Sequence, residues 1–431
     1  MSTPGLLTSL RRHPLVRTLL ELRGNPRYCV YLEPLWGIPY NLYTPFATLY
    51  MYNLGVDDEA IGLLLSVGMV FQVLASLFGG VLTDKWGRRN TTVIFDTISW
   101  SIPCLIWAFS QNFWWFLVAT IFNSMWKITD NSWNCLLVED CDPKKLVDVF
   151  TWVTVSGLLA VFFAPISTAL VGRYSLMPVM RGLYIFSFIF MSLKFWILYF
   201  QGHETARGVL RMQQTRDISY FAMLREYGSL LRGLAHSRAT LFILAVMVIV
   251  NITSTLSGTF YSLYVVQNLG IPEAFLTFFP MIRAAVMLLF IFLWQSRINR
   301  LPYKPPMLAG LGLMLLSQLL LVFAPRGGGV GTWVVLMVYT LADAFGNAIF
   351  TPRKDSLMVL CVDAQERARV CGLLYVIMIA VCTPFGYLGG LLSQINRILP
   401  FLFNAALYLI CGVMVITSGS LRRISAENTP A

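Results

Sequence analysis

Leu63 to Leu82 is almost wholly apolar, Val93 to Phe109 is apolar again, and the ten residues that join them, GVLTDKWGRR from Gly80 to Arg89, hold four charges. Each run approaches the roughly 20 residues that a helix needs to cross a bilayer core. A charged segment set so abruptly between two of them reads as a tight turn just outside a membrane. Gly80 and Gly87 permit close helix packing and a sharp reversal. Lys85, Arg88 and Arg89 supply the cationic excess that keeps a loop on the cytoplasmic side. The same alternation runs through the chain: 57% of residues are hydrophobic and only 12% charged, where soluble domains carry about 25% charged residues. The expected class is therefore an all-α polytopic membrane protein.

A net charge of +11 raises the question of nucleic acid. Twenty-five of the 32 Lys and Arg residues fall in alternate loops and at the two ends, and four lie on the other side. That distribution is membrane topology rather than a nucleic-acid footprint. It predicts a multi-pass protein of the cell membrane with both termini cytoplasmic and no cleavable signal peptide. The eight cysteines lie in spans or at their cytoplasmic ends and imply no disulfide framework. His13, His203 and His236 are in cytoplasmic segments, which leaves no histidine relay or metal site within the membrane. There is no phosphate loop of the G-x-x-x-x-G-K form and no nucleophile–base constellation, so neither an enzyme nor a cofactor is expected.

The hairpin resembles the signature loop between spans 2 and 3 of the major facilitator superfamily, G-x-x-x-D-x-x-G-R-R/K, and Gly80, Asp84, Gly87, Arg88 and Arg89 match it at every defined position. The resemblance implies twelve transmembrane helices in two pseudo-symmetric six-helix bundles. It also implies that these five residues form a conformational latch, in which Asp84 reaches the helix N-terminus at the start of span 11, around Glu366 to Val370. Twelve apolar runs follow in the order that the family requires. The boundaries are a cytoplasmic amphipathic segment over residues 1–27, broken at Pro14; a first bundle over 28–200; a cytoplasmic central loop over 201–238; a second bundle over 239–420; and a tail over 421–431. Within the central loop Ile218, Phe221, Leu224, Leu231 and Leu234 predict a basic amphipathic helix at the membrane surface.

Internal similarity supports two repeats. Asn53-Leu54-Gly55 ends span 1 and Asn268-Leu269-Gly270 ends span 7. Asn123, Lys127, Asn131 and Asn134 in span 4 share their spacing with Asp343, Asn347, Thr351 and Lys354 in span 10. That spacing sets each quartet on one helical face, and a polar stripe within a span faces a cavity or other protein.

Lys127, Arg283 and Asp343 fall near the middle of their spans, where each charge costs about 2.5–3.5 kcal/mol on insertion scales. They must be solvated, paired with one another, or paired with a substrate. Two cations against one carboxylate leave room for an anionic group. The expected substrate-binding set is Lys127, Arg283, Asp343, Asn123, Asn131 and Asn347. Asp343 is the first candidate for proton coupling, with Asp130 and Glu33 nearer the cytoplasmic ends. Glu33 heads a segment that Pro34, Pro39 and Pro45 should bend, and Lys194 reads as snorkelling to the interface.

The second half lacks the signature hairpin, and spans 4 and 5 lack the glycine patterns of drug–proton antiporters, so the resemblance does not extend to that class. It implies a secondary active transporter, working by alternating access as a monomer in the lipid bilayer. The expected cargo is a small anionic or zwitterionic organic solute, with a proton as coupling ion in symport. The alternatives are a neutral solute such as a sugar, or a non-transporting sensor or scaffold.

Overall fold

The computed structural model describes residues 14–142, 145–223, 238–298, 301–360 and 367–418, and all regular structure among them is helical. Among the described residues ten helices are long and apolar enough to cross a bilayer. They are span 2 (Asp58–Trp86), span 3 (Arg88–Phe109), span 5 (Asp148–Tyr174), span 6 (Leu176–Gln201), span 7 (Ala239–Asn268), span 8 (Glu273–Phe290), span 9 (Lys304–Val322), span 10 (Val330–Met358), span 11 (Gly372–Ile395) and span 12 (Leu399–Thr417). Two broken rods complete the twelve. Span 1 is Gly24–Tyr31, Glu33–Tyr43, Thr44–Phe46 and Ala47–Asn53, and span 4 is Phe113–Ser124 followed by Trp126–Val138.

The breaks have local causes. Pro34 has no amide hydrogen to donate to the Val30 carbonyl, and the chain turns at Leu32. Pro45 sits in the 3-10 turn Thr44–Phe46, whereas Pro39 is carried within an unbroken helix, so two of the three expected bends form. Span 4 has no proline at its break. There the Ser124 hydroxyl stands 2.7 Å from the Thr120 carbonyl and 2.9 Å from the Gly68 carbonyl, and donation to Thr120 is a back-bond that bends helices. In span 3 Pro103 cannot donate to the Ser99 carbonyl, and a π turn forms at Thr97–Ser101.

Pro14–Glu21 is helical, and the expected break at Pro14 involves residues outside those described. In the central loop the helix is Ala206–Thr215, with Thr205 as its N-cap, accepting from the Gly208 amide. The amphipathic segment predicted from Ile218 onward lies mostly outside the described residues.

The two Asn-Leu-Gly exits share a geometry, since Gly55 and Gly270 both adopt the left-handed conformation, at φ 80° and 74°. The halves meet along spans 2 and 11 and along spans 5 and 8. On Gly62 a Cβ would stand 2.6 Å from the Gly390 Cα, and on Gly386 one would stand 2.9 Å from the Ser66 nitrogen. Spans 2 and 11 therefore touch backbone to backbone.

The polar contacts that join the halves gather at the end opposite the hairpin. Asp58 meets Arg397 and Ser393, Tyr387 donates to Glu59 at 2.7 Å, and the Ser66 hydroxyl donates to the Thr383 carbonyl at 2.6 Å. That end of the molecule is closed.

Candidate functional site

In the second half, span 8 carries Arg283 and span 10 carries Asp343, and Arg283 Nε stands 3.0 Å from Asp343 Oδ2. Asn347, one turn along span 10, donates to the Asp343 carboxylate at 3.0 Å and to its carbonyl at 2.9 Å. This fixes the carboxylate opposite the guanidinium. Tyr261 stacks on Tyr339 at 5.4 Å, and its buried hydroxyl has no partner among the described residues. Asp343 is 14% exposed, whereas Arg283 is 45% exposed although it lies at mid-span. A guanidinium paired at that depth faces a cavity rather than hydrocarbon.

The first half places its predicted residues differently. Lys127 pairs with Asp130 on its own helix, 3.3 Å away, and lies over the Trp126 ring at 3.8 Å. Asn123 donates at 2.8 Å to the Ser99 carbonyl, the acceptor that Pro103 leaves without a donor. Asn131 reaches the Thr83 hydroxyl at 3.3 Å. Arg283, Asp343 and Asn347 thus form one constellation. Among the described residues no ion pair connects Lys127 to it. Asn123 also lines a cavity of about 220 Å³ between spans 1 to 4 and span 6, walled by Tyr43, Trp107, Tyr184 and Gln72. A larger recess, about 580 Å³, lies away from the spans' midplane, between the hairpin and helix Ala206–Thr215, with Lys85, Trp86, Arg89 and Tyr220 on its walls.

Lys194 does not snorkel. It is 4% exposed, 2.8 Å from Glu33, and flanked by the rings of Trp36 and Trp133 at 5.8 and 6.0 Å. Span 3 brings Asp96, 6% exposed, into the same cluster. Asp96 was passed over in the apolar run Val93 to Phe109. The signal that finds it is the general one that any carboxylate within a span requires solvation or a partner. The expectation of surplus positive charge came from counting two cations against one carboxylate. In the structure Asp130 answers Lys127 and Asp343 answers Arg283, so each midplane cation already has an anion.

At the hairpin, Gly87 takes φ 85°, and a Cβ there would stand 2.5 Å from Glu204. Glu204 accepts from the Arg88 and Arg89 amides at 2.8 and 3.0 Å and so caps the N-terminus of span 3. Arg88, buried, holds Glu139 at 3.1 Å and Asp84 at 3.2 Å. Arg211 of the loop helix reaches Asp84 at 2.6 Å. Arg89 lies over Tyr199, and Gly80 sits half-buried in span 2, next to Gly79, which approaches span 4. The expected meeting of Asp84 with Glu366 to Val370 falls outside the residues and side chains described.

Two sets of similar proteins fit this architecture. The multidrug resistance protein MdtG of Salmonella paratyphi C (strain RKS4594) is 27% identical over 152 residues, covering 34% of this chain and 37% of that protein. MdtG of Rahnella sp. (strain Y9602) is 35% identical over 89 residues, 20% and 21% of the two chains. The chain thus matches well under half the length of these relatives. The nucleoside transporter NupG has a similar fold, with a TM-score of 0.67 at 15% identity over 91% of this chain and 98% of that one. A POT family transporter bound to 5-aminolevulinic acid gives 0.70 at 14% identity over 94% and 96%. Both of these solved structures are of transporters. The sequence model of the Major Facilitator Superfamily matches residues 37–257 and 243–429, nearly the whole chain, and the protein belongs to that superfamily.

Proposed function

We propose that the protein is a secondary active transporter of the cell membrane, with both termini cytoplasmic, that moves a small organic solute by alternating access. The observation that carries this reading is the Arg283–Asp343 pair, 3.0 Å apart at mid-span with the guanidinium 45% exposed, in a molecule closed at one end. A guanidinium fixed by one carboxylate keeps free donors for a second. With Lys127–Asp130 as a second ion pair in the other half, the arrangement suits a zwitterion better than a simple anion. Its cationic group would meet Asp343 or Asp130, and its anionic group Arg283 or Lys127. Asn347 acts by positioning Asp343. Asn123 and Asn131, already bonded to Ser99 and Thr83, line the route rather than grip the solute.

Aromatic walls support a second reading, an amphipathic solute of the drug-like kind that the name of the MdtG relatives suggests. Trp36 stacks on Tyr40 at 4.8 Å, and the Trp36 indole N–H is buried without a partner among the described residues.

A solute library screened by thermal shift on purified protein, followed by counterflow in proteoliposomes, separates the two, since ligand raises apparent stability by mass action. Zwitterionic hits whose affinity falls by about 100-fold in Arg283→Ala, equivalent to roughly 2.7 kcal/mol for a charged hydrogen bond, support the first. Aromatic hits indifferent to Arg283→Ala and lost in Trp36→Ala support the second. Absence of counterflow for every hit in the wild type overturns both.

A further inference from the structure

The recess of about 580 Å³ between the hairpin and helix Ala206–Thr215 has Lys85, Arg89 and Arg216 on its walls against one carboxylate, Glu204. Glu204 is committed to the Arg88 and Arg89 amides, at 2.8 and 3.0 Å. The neighbouring carboxylates are engaged as well, Asp84 by Arg88 and Arg211, and Glu139 by Arg88 and the Thr205 hydroxyl. Asp217, next to Arg216 in sequence, is exposed and off the wall. Among the described residues no carboxylate forms an ion pair with any of the three recess cations. Lys85 reaches the Arg216 carbonyl at 3.4 Å and lies over the Tyr220 ring at 4.6 Å. Arg89 has the Gly202 carbonyl at 3.4 Å and Asn90 at 3.3 Å. Donors on all three side chains are left for an anion.

Two arginines and a lysine around one hollow suit a phosphate, which a guanidinium grips with two parallel N–H groups. The rest of the wall is not built for a bare ion. Trp86 donates its indole N–H to the Tyr220 hydroxyl at 3.2 Å, and Val209 and Met212 are apolar. Arg89 also lies over Tyr199 at 5.1 Å, at the end of span 6. There Tyr199, Trp196 and Phe200 are 46%, 64% and 68% exposed. Large rings exposed at the end of a span sit at the boundary between lipid and water. Arg89 therefore joins the recess to a lipid-facing strip. A free phosphate would use the cations alone, whereas a phospholipid uses cations and strip together.

We propose that the recess binds the phosphate of an acidic phospholipid from the adjoining leaflet, held between Lys85 and Arg89 of the hairpin and Arg216, the C-cap of helix Ala206–Thr215. The acyl chains run along Tyr199 and Phe200. A phosphate so placed bridges two elements and clamps the helix onto the hairpin, where Arg211 holds Asp84 at 2.6 Å. A ligand shifts an equilibrium only by binding one state better than the other, and this one binds the state in which helix and hairpin are docked. The lipid thus favours the molecule closed at the end opposite the hairpin. That regulatory role rests on the alternating-access reading above, whereas the binding does not.

Native mass spectrometry of the purified full-length protein, taken from mixed phosphatidylglycerol and phosphatidylcholine bilayers, counts retained lipids directly and needs no substrate. The wild type should keep phosphatidylglycerol in preference to phosphatidylcholine. Lys85→Gln combined with Arg216→Gln should weaken that retention by about 30-fold. Arg216→Gln alone, at an exposed position, should weaken it by about fivefold and keeps the test available if the double variant folds poorly. Arg23→Gln combined with Arg27→Gln removes the same charge from exposed sites outside the recess and should leave retention unchanged. Wild-type retention in the recess variants, or an equal loss in the Arg23 and Arg27 variant, overturns the proposal. So does displacement of the lipid by millimolar inorganic phosphate, which would assign the recess to a soluble anion. Spin labels set across the hairpin end test the clamp: phosphatidylglycerol should lengthen their separation in the wild type and not in the double variant. A separation indifferent to the lipid overturns the regulatory role, while a wild type without counterflow sinks the transport reading and leaves lipid retention to judge the recess.

Discussion

Asp58, 2% exposed at the start of span 2, receives Arg397 Nε and Nη2 on its two oxygens at 2.9 and 3.0 Å and the Ser393 hydroxyl at 2.5 Å. The forked geometry makes this the strongest single polar contact between the halves. Removing one partner of a buried pair strands the other, at about 3–5 kcal/mol. Because Arg397 is 20% exposed, the lower figure applies. Arg397→Ala should therefore unfold at lower temperature by an amount equivalent to about 3 kcal/mol, and Arg397→Lys, which keeps charge but loses the fork, should fall between. Equal melting temperatures for Arg397→Ala and wild type would refute this. Asp58 and Arg397 are 339 residues apart in sequence, and nothing local announces their pairing. Most charges within spans were legible, because an apolar background makes them stand out: Lys127, Arg283, Asp343, Glu33 and Lys194 were visible, whereas Asp96 was not picked out. Their partners were not. A span that is apolar nearly all round does not encode its rotation about its own axis, and that rotation decides whether Lys194 meets Glu33 or lipid. The partner of Asn123 was hidden for a related reason, since its amide answers a carbonyl freed by Pro103 on another helix.

At the scale of elements, span count and order were legible from the length of the apolar runs, and the repeat was legible in Asn-Leu-Gly, because only glycine readily takes the positive φ found at Gly55 and Gly270. The breaks in spans 1 and 4 were half legible: proline marks the first, but a serine back-bond makes the second. Helix Ala206–Thr215 was missed because its stability comes from docking on the hairpin, through Arg211 to Asp84 and Thr215 to the Asp84 carbonyl, rather than from its own short pattern. The closest meeting of elements is that of spans 2 and 11. A Cβ on Gly390 would lie 2.7 Å from the Asp58 carbonyl oxygen and 2.8 Å from the Gly62 Cα, and backbone cannot step aside as a side chain can. Gly390→Leu should therefore hold these spans apart and leave the end opposite the hairpin open. A cysteine placed at Ser66, 9% exposed in the closed molecule, should then react with a membrane-impermeant thiol reagent far faster than in the glycine parent. Equal labelling rates would mean that the two helices can slide to accommodate the side chain.

For the whole molecule, closure at one end and opening at the other are linked, because a contact that favours one state must disfavour its alternative by the same free energy. One end is held by Asp58–Arg397 and the Gly62–Gly390 contact. At the hairpin end, Asp84 is engaged by Arg211 and Arg88, although the family pattern gives that carboxylate to the start of span 11 when the hairpin end shuts. With Arg88 on Oδ1 and Arg211 on Oδ2, both oxygens are engaged; on the alternating-access reading proposed above, Arg211 would then compete with the latch and favour the state closed at the opposite end. Arg211 is 39% exposed, and such a pair contributes about 1 kcal/mol or less. Arg211→Ala should then move the populations by up to about fivefold toward a closed hairpin end, and Asp84→Asn, which removes the latch itself, should move them the other way. Distances between spin-label pairs set across each end measure both shifts. In Arg211→Ala the hairpin-end pair should shorten while the opposite pair lengthens, with the signs reversed in Asp84→Asn. Movement at only one end would mean that the ends open independently, which is incompatible with a rocking exchange of access around a central site.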